Sequence, residues 1–157
     1  MCLATLPTVP TDANAVNITL DFLAAGRAIF TVANPTGESY TYRVSRSEPS
    51  GEYSKPAWFV GLLTGPDNEH DYTYVGRYDP DMGTLSLTQA SRFGGDSKPV
   101  KVFRWVVATL AAGRSFPAGY TVQHCGRCGR CARTLTTPRS LEIGIGPECE
   151  RKMMGGK

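Results

Sequence analysis

No stretch of this sequence approaches the roughly 18–20 consecutive apolar residues that a bilayer-crossing helix requires, which excludes an α-helical membrane protein. The first fourteen residues, MCLATLPTVPTDAN, lack a basic segment and a sustained apolar run, so they do not read as a secretion signal. The chain also lacks a Gly-x-Ser-x-Gly elbow, a phosphate-binding P-loop and a dinucleotide fingerprint. These absences remove the hydrolases, nucleotide hydrolases and dehydrogenases most legible from sequence. Aromatic residues are missing from residues 121–157, which weakens any base-stacking platform there. Cysteines are few and uneven. Cys2 stands alone, whereas Cys125, Cys128, Cys131 and Cys149 crowd into the C-terminal part. A secreted disulfide framework spreads its cysteines to tie distant segments, but gaps of two residues are the spacing of metal ligands. A soluble cytoplasmic protein is the expectation.

What remains is ordinary globular composition. Hydrophobic residues make up 41% and charged residues 20% of 157 positions, enough for one core, or for one core with a small appended module. The net charge of +3 is divided unequally. Residues 1–113 carry nine basic and eleven acidic side chains, and residues 114–157 carry eight and three. Three thiolates on one Zn²⁺ would leave the tail at about +4, still basic.

Residues 1–11 are rich in Pro and Thr and read as a loose N-terminus. A helix is expected from Asp12 or Asn14, with Val16, Leu20 and Leu23 on one side and Gly26 as its C-terminal cap. The period then becomes two. Residues 28–34 and 39–46 flank Pro35-Thr36-Gly37-Glu38 as a hairpin, and residues 57–64 and 72–78 flank a longer polar loop as a second. A turn at 80–83 leads into a fifth strand at 84–88. Tyr40, Tyr42 and Val44 share one face, Thr41 and Arg43 the other. The run Ala57-Trp58-Phe59-Val60 is apolar on both faces, which suggests a central strand covered on each side. From Ser97 as N-cap, with Pro99 in the first turn, Val102, Phe103, Val106, Val107 and Leu110 recur at helical spacing until Gly113. The expected fold is α+β: an antiparallel sheet of about five strands packed with one or two helices, residues 12–115. A linker at 114–121 joins it to a metal module at 122–157.

In that module His124-Cys125-Gly126-Arg127-Cys128-Gly129-Arg130-Cys131 precedes Gly144-Ile145-Gly146-Pro147-Glu148-Cys149. A Cys-x2-Cys turn puts two thiolates on one side of a tight loop, and Pro147 suits the first turn of a helix bearing Cys149. One Zn²⁺ held by Cys128, Cys131, Cys149 and His124 is the expectation. Cys125 is the substitute for His124, because two consecutive tight turns strain to reach one tetrahedron. A knuckle, a hairpin and a helix in that order are treble-clef-like. A [4Fe–4S] cluster on the four cysteines is the less favoured metal chemistry, since the proline that follows the last cysteine of such sets is missing.

This text, with Leu135-Thr136, Pro138 and Ser140 between its halves, resembles a C-terminal zinc motif of phage and bacterial proteins of uncharacterised function. In that motif a His precedes CGRCGR-x-LT-x-P-x-S and GIGP-x-C. The likeness is close over about thirty residues, and Gly26-Arg27, Trp58-Phe59-Val60 and Leu63-Thr64-Gly65-Pro66 also look similar to members of that group. Ala132 stands where the group has glycine, and Cys125 adds a spare thiol. The resemblance implies zinc and a mobile-element setting, hence a host bacterial cytoplasm, and implies no activity.

Three functional readings follow. In the first, Arg127, Arg130, Arg133 and Arg139 around the knuckle grip nucleic-acid phosphates, although arginines also simply solvate a small module. In the second, exposed aromatics dock on a host enzyme or defence complex and modulate it. In the third, Asp67, Glu69, His70 and Asp71 hold a divalent cation for hydrolysis, against the plainer reading of a polar hairpin loop. The balance is against an enzyme, and no small-molecule substrate is evident.

Overall fold

The computed structural model describes residues 18–47, 56–66, 71–114, 116–117, 119–124, 127–131, 133–135 and 144–154. Residues 1–11, expected to be loose, and the start of the expected first helix lie outside these. Within them the helix is a single turn, α1 (Leu20–Leu23). The Thr19 hydroxyl caps it by accepting from the Phe22 amide at 3.1 Å. The helix ends at Ala24, and Gly26, at φ 127°, turns the chain into the sheet instead of capping.

Five strands follow the expected plan: β1 (Arg27–Ala33), β2 (Ser39–Ser47), β3 (Ala57–Leu63), β4 (Tyr72–Asp79) and β5 (Thr84–Ser86). Asn34 closes the first hairpin, its side-chain oxygen accepting from the Thr36 and Glu38 amides at 3.0 and 2.9 Å. After β5 comes α2 (Lys98–Ala111), with Ser97 as N-cap and Gly113 just past its end at φ 68°.

A sixth strand, β6 (Thr121–His124), pairs antiparallel with β1, so Phe30 faces His124 and Val32 faces Val122. The antiparallel sheet has the order β5-β4-β3-β2-β1-β6. The last residue of the expected linker and the first three of the expected metal module thus enter the sheet at its edge. Four residues with one large apolar side chain are too short for alternation to announce a strand. C-terminal to it, α3 (Pro147–Met154) ends the described chain.

The core lies between α2 and one sheet face. Phe103 is its centre, with ring centroids 5.3 Å from Tyr42, 5.7 Å from Tyr78 and 6.2 Å from Phe30. The Tyr42 hydroxyl donates to the Pro99 carbonyl at 2.7 Å, tying β2 to the start of α2. Trp58 donates its indole N–H to the Ala24 carbonyl at 3.0 Å and so anchors α1. On the other face Phe59 is 39% exposed, so β3 is central but not covered on both sides at that residue.

Candidate metal centre

The knuckle begins where β6 ends. Arg127 and Thr134 form a bridge, and the Cys128 amide donates to the Arg133 carbonyl at 2.8 Å, folding residues 127–134 into a small hairpin. The Cys128 sulfur accepts from the Arg130 amide at 3.4 Å and from the Gly146 amide at 3.3 Å. Amides aimed at a cysteine sulfur stabilise a thiolate. Cys149 sits in the first turn of α3, where Pro147 opens the helix.

These elements bring the Cys128, Cys131 and Cys149 sulfurs within 4.8 Å of one another. Cys128 and Cys149 are buried, and Cys131 is at the surface. A cavity of about 280 Å³, lined in part by the three cysteines and Gly146, opens beside them. The thiols are not equivalent. Burial opposes ionisation of Cys128, yet the Gly146, Cys131 and Arg130 amides and the Cys131 thiol together hold it below the usual thiol value. Burial pushes Cys149 up to about 11, reinforced by hydrogen bonds that its thiol donates to Cys131 and Cys128 and by their charge, despite the favourable end of the α3 dipole. Three thiolates packed this closely repel one another unless a cation lies among them. A tetrahedral zinc site, with Zn–S near 2.3 Å, sets its sulfurs roughly 3.8 Å apart, which the observed grouping accommodates. The C-terminal three-cysteine cluster therefore fits a zinc module.

His124 is 2% exposed on the core side of β6, with its ring 5.7 Å from that of Phe22 and its Cδ2 3.1 Å from where a Cβ on Gly144 would stand; it borders the module and is outside the group of three sulfurs that lie within 4.8 Å of one another. Cys125, Arg139 and the acidic loop at 67–70 lie outside the described residues. Arg127, Arg130 and Arg133 are exposed around the knuckle, as are Arg151 and Lys152 on α3. Arg133 faces Glu148 at 3.7 Å, with both side chains largely exposed.

Gly129 fastens the module to the sheet through its two backbone groups. The Gly129 carbonyl accepts from the Arg27 amide at 2.6 Å, at the start of β1, while the Gly129 amide donates to the Gly144 carbonyl at 2.8 Å. Phe22 fills the space beneath: a Cβ on Gly129 or on Gly144 would stand 2.6 Å from its ring. Cys128, Leu135, Ile145 and Cys149 accordingly join the same buried cluster as Phe22 and Phe103.

Residues 118–154 match the model of a family of unknown function, DUF6011. The matched stretch begins just before β6 and runs to the end of α3, so it contains His124 and all three clustered thiols. No curated protein and no solved structure matches the chain.

Proposed function

We propose that the protein is a non-enzymatic accessory protein whose C-terminal module holds one Zn²⁺ and lays its arginines on nucleic-acid phosphates. The observation that carries this reading is the setting of the thiol group. Three cysteines converge at a knuckle and a helix start, and exposed Arg127, Arg130, Arg133, Arg151 and Lys152 surround them. Zinc supplies a cross-link and neutralises the thiolates. Bound this way it acts structurally, because a segment this small has little core of its own. The fourth ligand is His124, which borders the module at Gly144, with Cys125 as its substitute. The guanidinium groups then face solvent, where they can bind phosphate oxygens in pairs.

Metal analysis of the purified chain tests the first half. We expect one zinc per chain, lost in Cys128→Ser and in Cys149→Ser and retained in Cys2→Ser. Loss in Cys125→Ser with retention in His124→Ala would place the fourth ligand at Cys125, and the reverse result at His124. A brown protein containing iron would overturn the zinc assignment. Titration of a labelled duplex and a labelled single strand tests the second half. Affinity should fall steeply between 50 and 200 mM salt, by roughly tenfold or more if three or four phosphates are contacted. Alanine at Arg127, Arg130 and Arg133 together should abolish it, and binding that ignores salt would sink the phosphate reading.

A protein-docking factor is the second reading, and it draws on the sheet face opposite α2, where Phe59 is 39% exposed. There Phe59 lies 6.1 Å from Tyr74, and the Arg43 guanidinium sits 4.2 Å above the Tyr72 ring. A host protein captured after nuclease treatment, and lost with Phe59→Asp, would favour it over nucleic acid.

A further inference from the structure

A second concave site lies away from the metal module, on the side of the sheet that α2 covers. It is a cavity of about 360 Å³ between α2, the β1–β2 hairpin and the residue before β6. Its size falls within the roughly 300–1,000 Å³ typical of small-molecule sites. One stripe of α2, Lys98, Lys101, Val102 and Trp105, lines it at helical spacing.

The stripe sorts by chemistry along the helix axis. At one end Trp105 and Tyr120 present aromatic rings, and Tyr40, Val32 and Val102 complete the aromatic and apolar lining. The Trp105 ring is held edge-on at 5.1 Å by Tyr120 and also at 5.1 Å by Phe116. Tyr40 leans on Tyr42, 6.4 Å away, which the Pro99 carbonyl fixes in turn. The aromatic walls are therefore set before any ligand arrives.

At the other end stand two lysines in a place where helices seldom put them. The first turn of α2 contains no acidic residue, and its positive dipole end meets Lys98 and Lys101. Ser97 does not relieve it, because its hydroxyl donates to the Gly94 carbonyl at 2.6 Å instead of capping the helix. Lys101 has no ion-pair partner among the described residues. Lys98 meets Glu38 at 3.6 Å, but both side chains are largely exposed, and such a pair is weak. A bound anion would offset the charge that Glu38 leaves uncompensated. Asn34 and Glu38, joined by a hydrogen bond of 3.1 Å, add donors and acceptors at the rim.

We propose that this cavity binds a mononucleotide, its base against Trp105, Tyr120 and Tyr40, its phosphate at Lys98 and Lys101, and its ribose toward Asn34 and Glu38. Aromatic faces accept any base, so the site selects for the joined base and phosphate more than for base identity. The inference does not rest on the metal module, which lies outside the cavity lining.

Calorimetric titration of the metal-loaded full chain with AMP, GMP and UMP tests it. We expect saturable binding at one site, with adenosine and inorganic phosphate each weaker by about tenfold or more. Lys101→Glu should weaken the monophosphates by about tenfold or more. That residue is exposed, so its replacement leaves folding intact. Trp105→Leu, with its melting curve checked, should weaken adenosine as well. Alanine at Arg127 and Arg130 should change none of these affinities, which separates this site from the phosphate contacts proposed for the module. The inference is overturned if no monophosphate saturates the protein, if Lys101→Glu binds as tightly as the parent, or if only an oligonucleotide binds.

Discussion

Gly129 shows how much one missing side chain decides. Its carbonyl joins the knuckle to β1 and its amide joins it to the Gly144 turn, with Phe22 directly beneath. A Cβ there would stand 2.6 and 2.7 Å from two ring carbons of Phe22 and 3.2 Å from its backbone oxygen. Phe22 is fully buried, so its ring has no free space into which to retreat. Gly129→Ala should therefore lower stability by about 1–3 kcal/mol. A chemical denaturation curve with an unchanged slope and an earlier midpoint would show it. Gly144→Ala meets the same ring at φ 77° and should cost at least as much. Metal content measured alongside distinguishes loosened docking from a lost ligand, since neither glycine supplies a donor.

Among the elements, β2, β3 and β4 were legible from their period of two, and α2 from its three- and four-residue spacing. Alternation also placed Tyr40, Tyr42 and Val44 on one face correctly, although it could not say what each would meet. Tyr42 became a core residue and Tyr40 a cavity wall. The tyrosines facing α2 carry a consequence for pH. Burial, then the neighbouring Asp79 carboxylate, pushes Tyr78 up to about 12. Burial, then Tyr40, pushes Tyr42 up as well. Both phenols have higher values folded than unfolded, so between pH 10 and 12 the unfolded chain binds fewer protons. Their contribution is intact below pH 10 and is lost as pH rises through the folded values. The melting temperature should decline over that interval, with part of the phenolate absorbance at 295 nm developing only on unfolding. Full phenolate absorbance in a still folded chain at pH 11 would contradict it.

At the scale of the whole molecule, the metal module and the sheet share one buried cluster. Removing the proposed ion should therefore be felt beyond the cysteines. After chelation, hydrogen exchange should quicken at the Arg27, Gly129 and Gly146 amides, whose partners lie at the junction or at the Cys128 sulfur. Protection in β2 and β3, in the middle of the sheet, should persist because their partners are other strands. Uniform loss of protection would show instead that the whole fold depends on the ion, and no change would show that the module holds without it.

Sequence alone determined the α+β class, the hairpins, the long helix and the cysteines at metal-ligand spacing. Each depends on neighbours within a few residues, and local periodicity and ligand spacing record such dependence directly. Tertiary structure decided that residues 121–124 form a sheet edge and that the His124 ring meets that of Phe22. It also set Lys98, Lys101 and Trp105 opposite Tyr40 and Tyr120 around one cavity. These pairings join positions far apart in the chain. Their energies come from close packing and shared hydrogen bonds, which exist only once the distant segments have met.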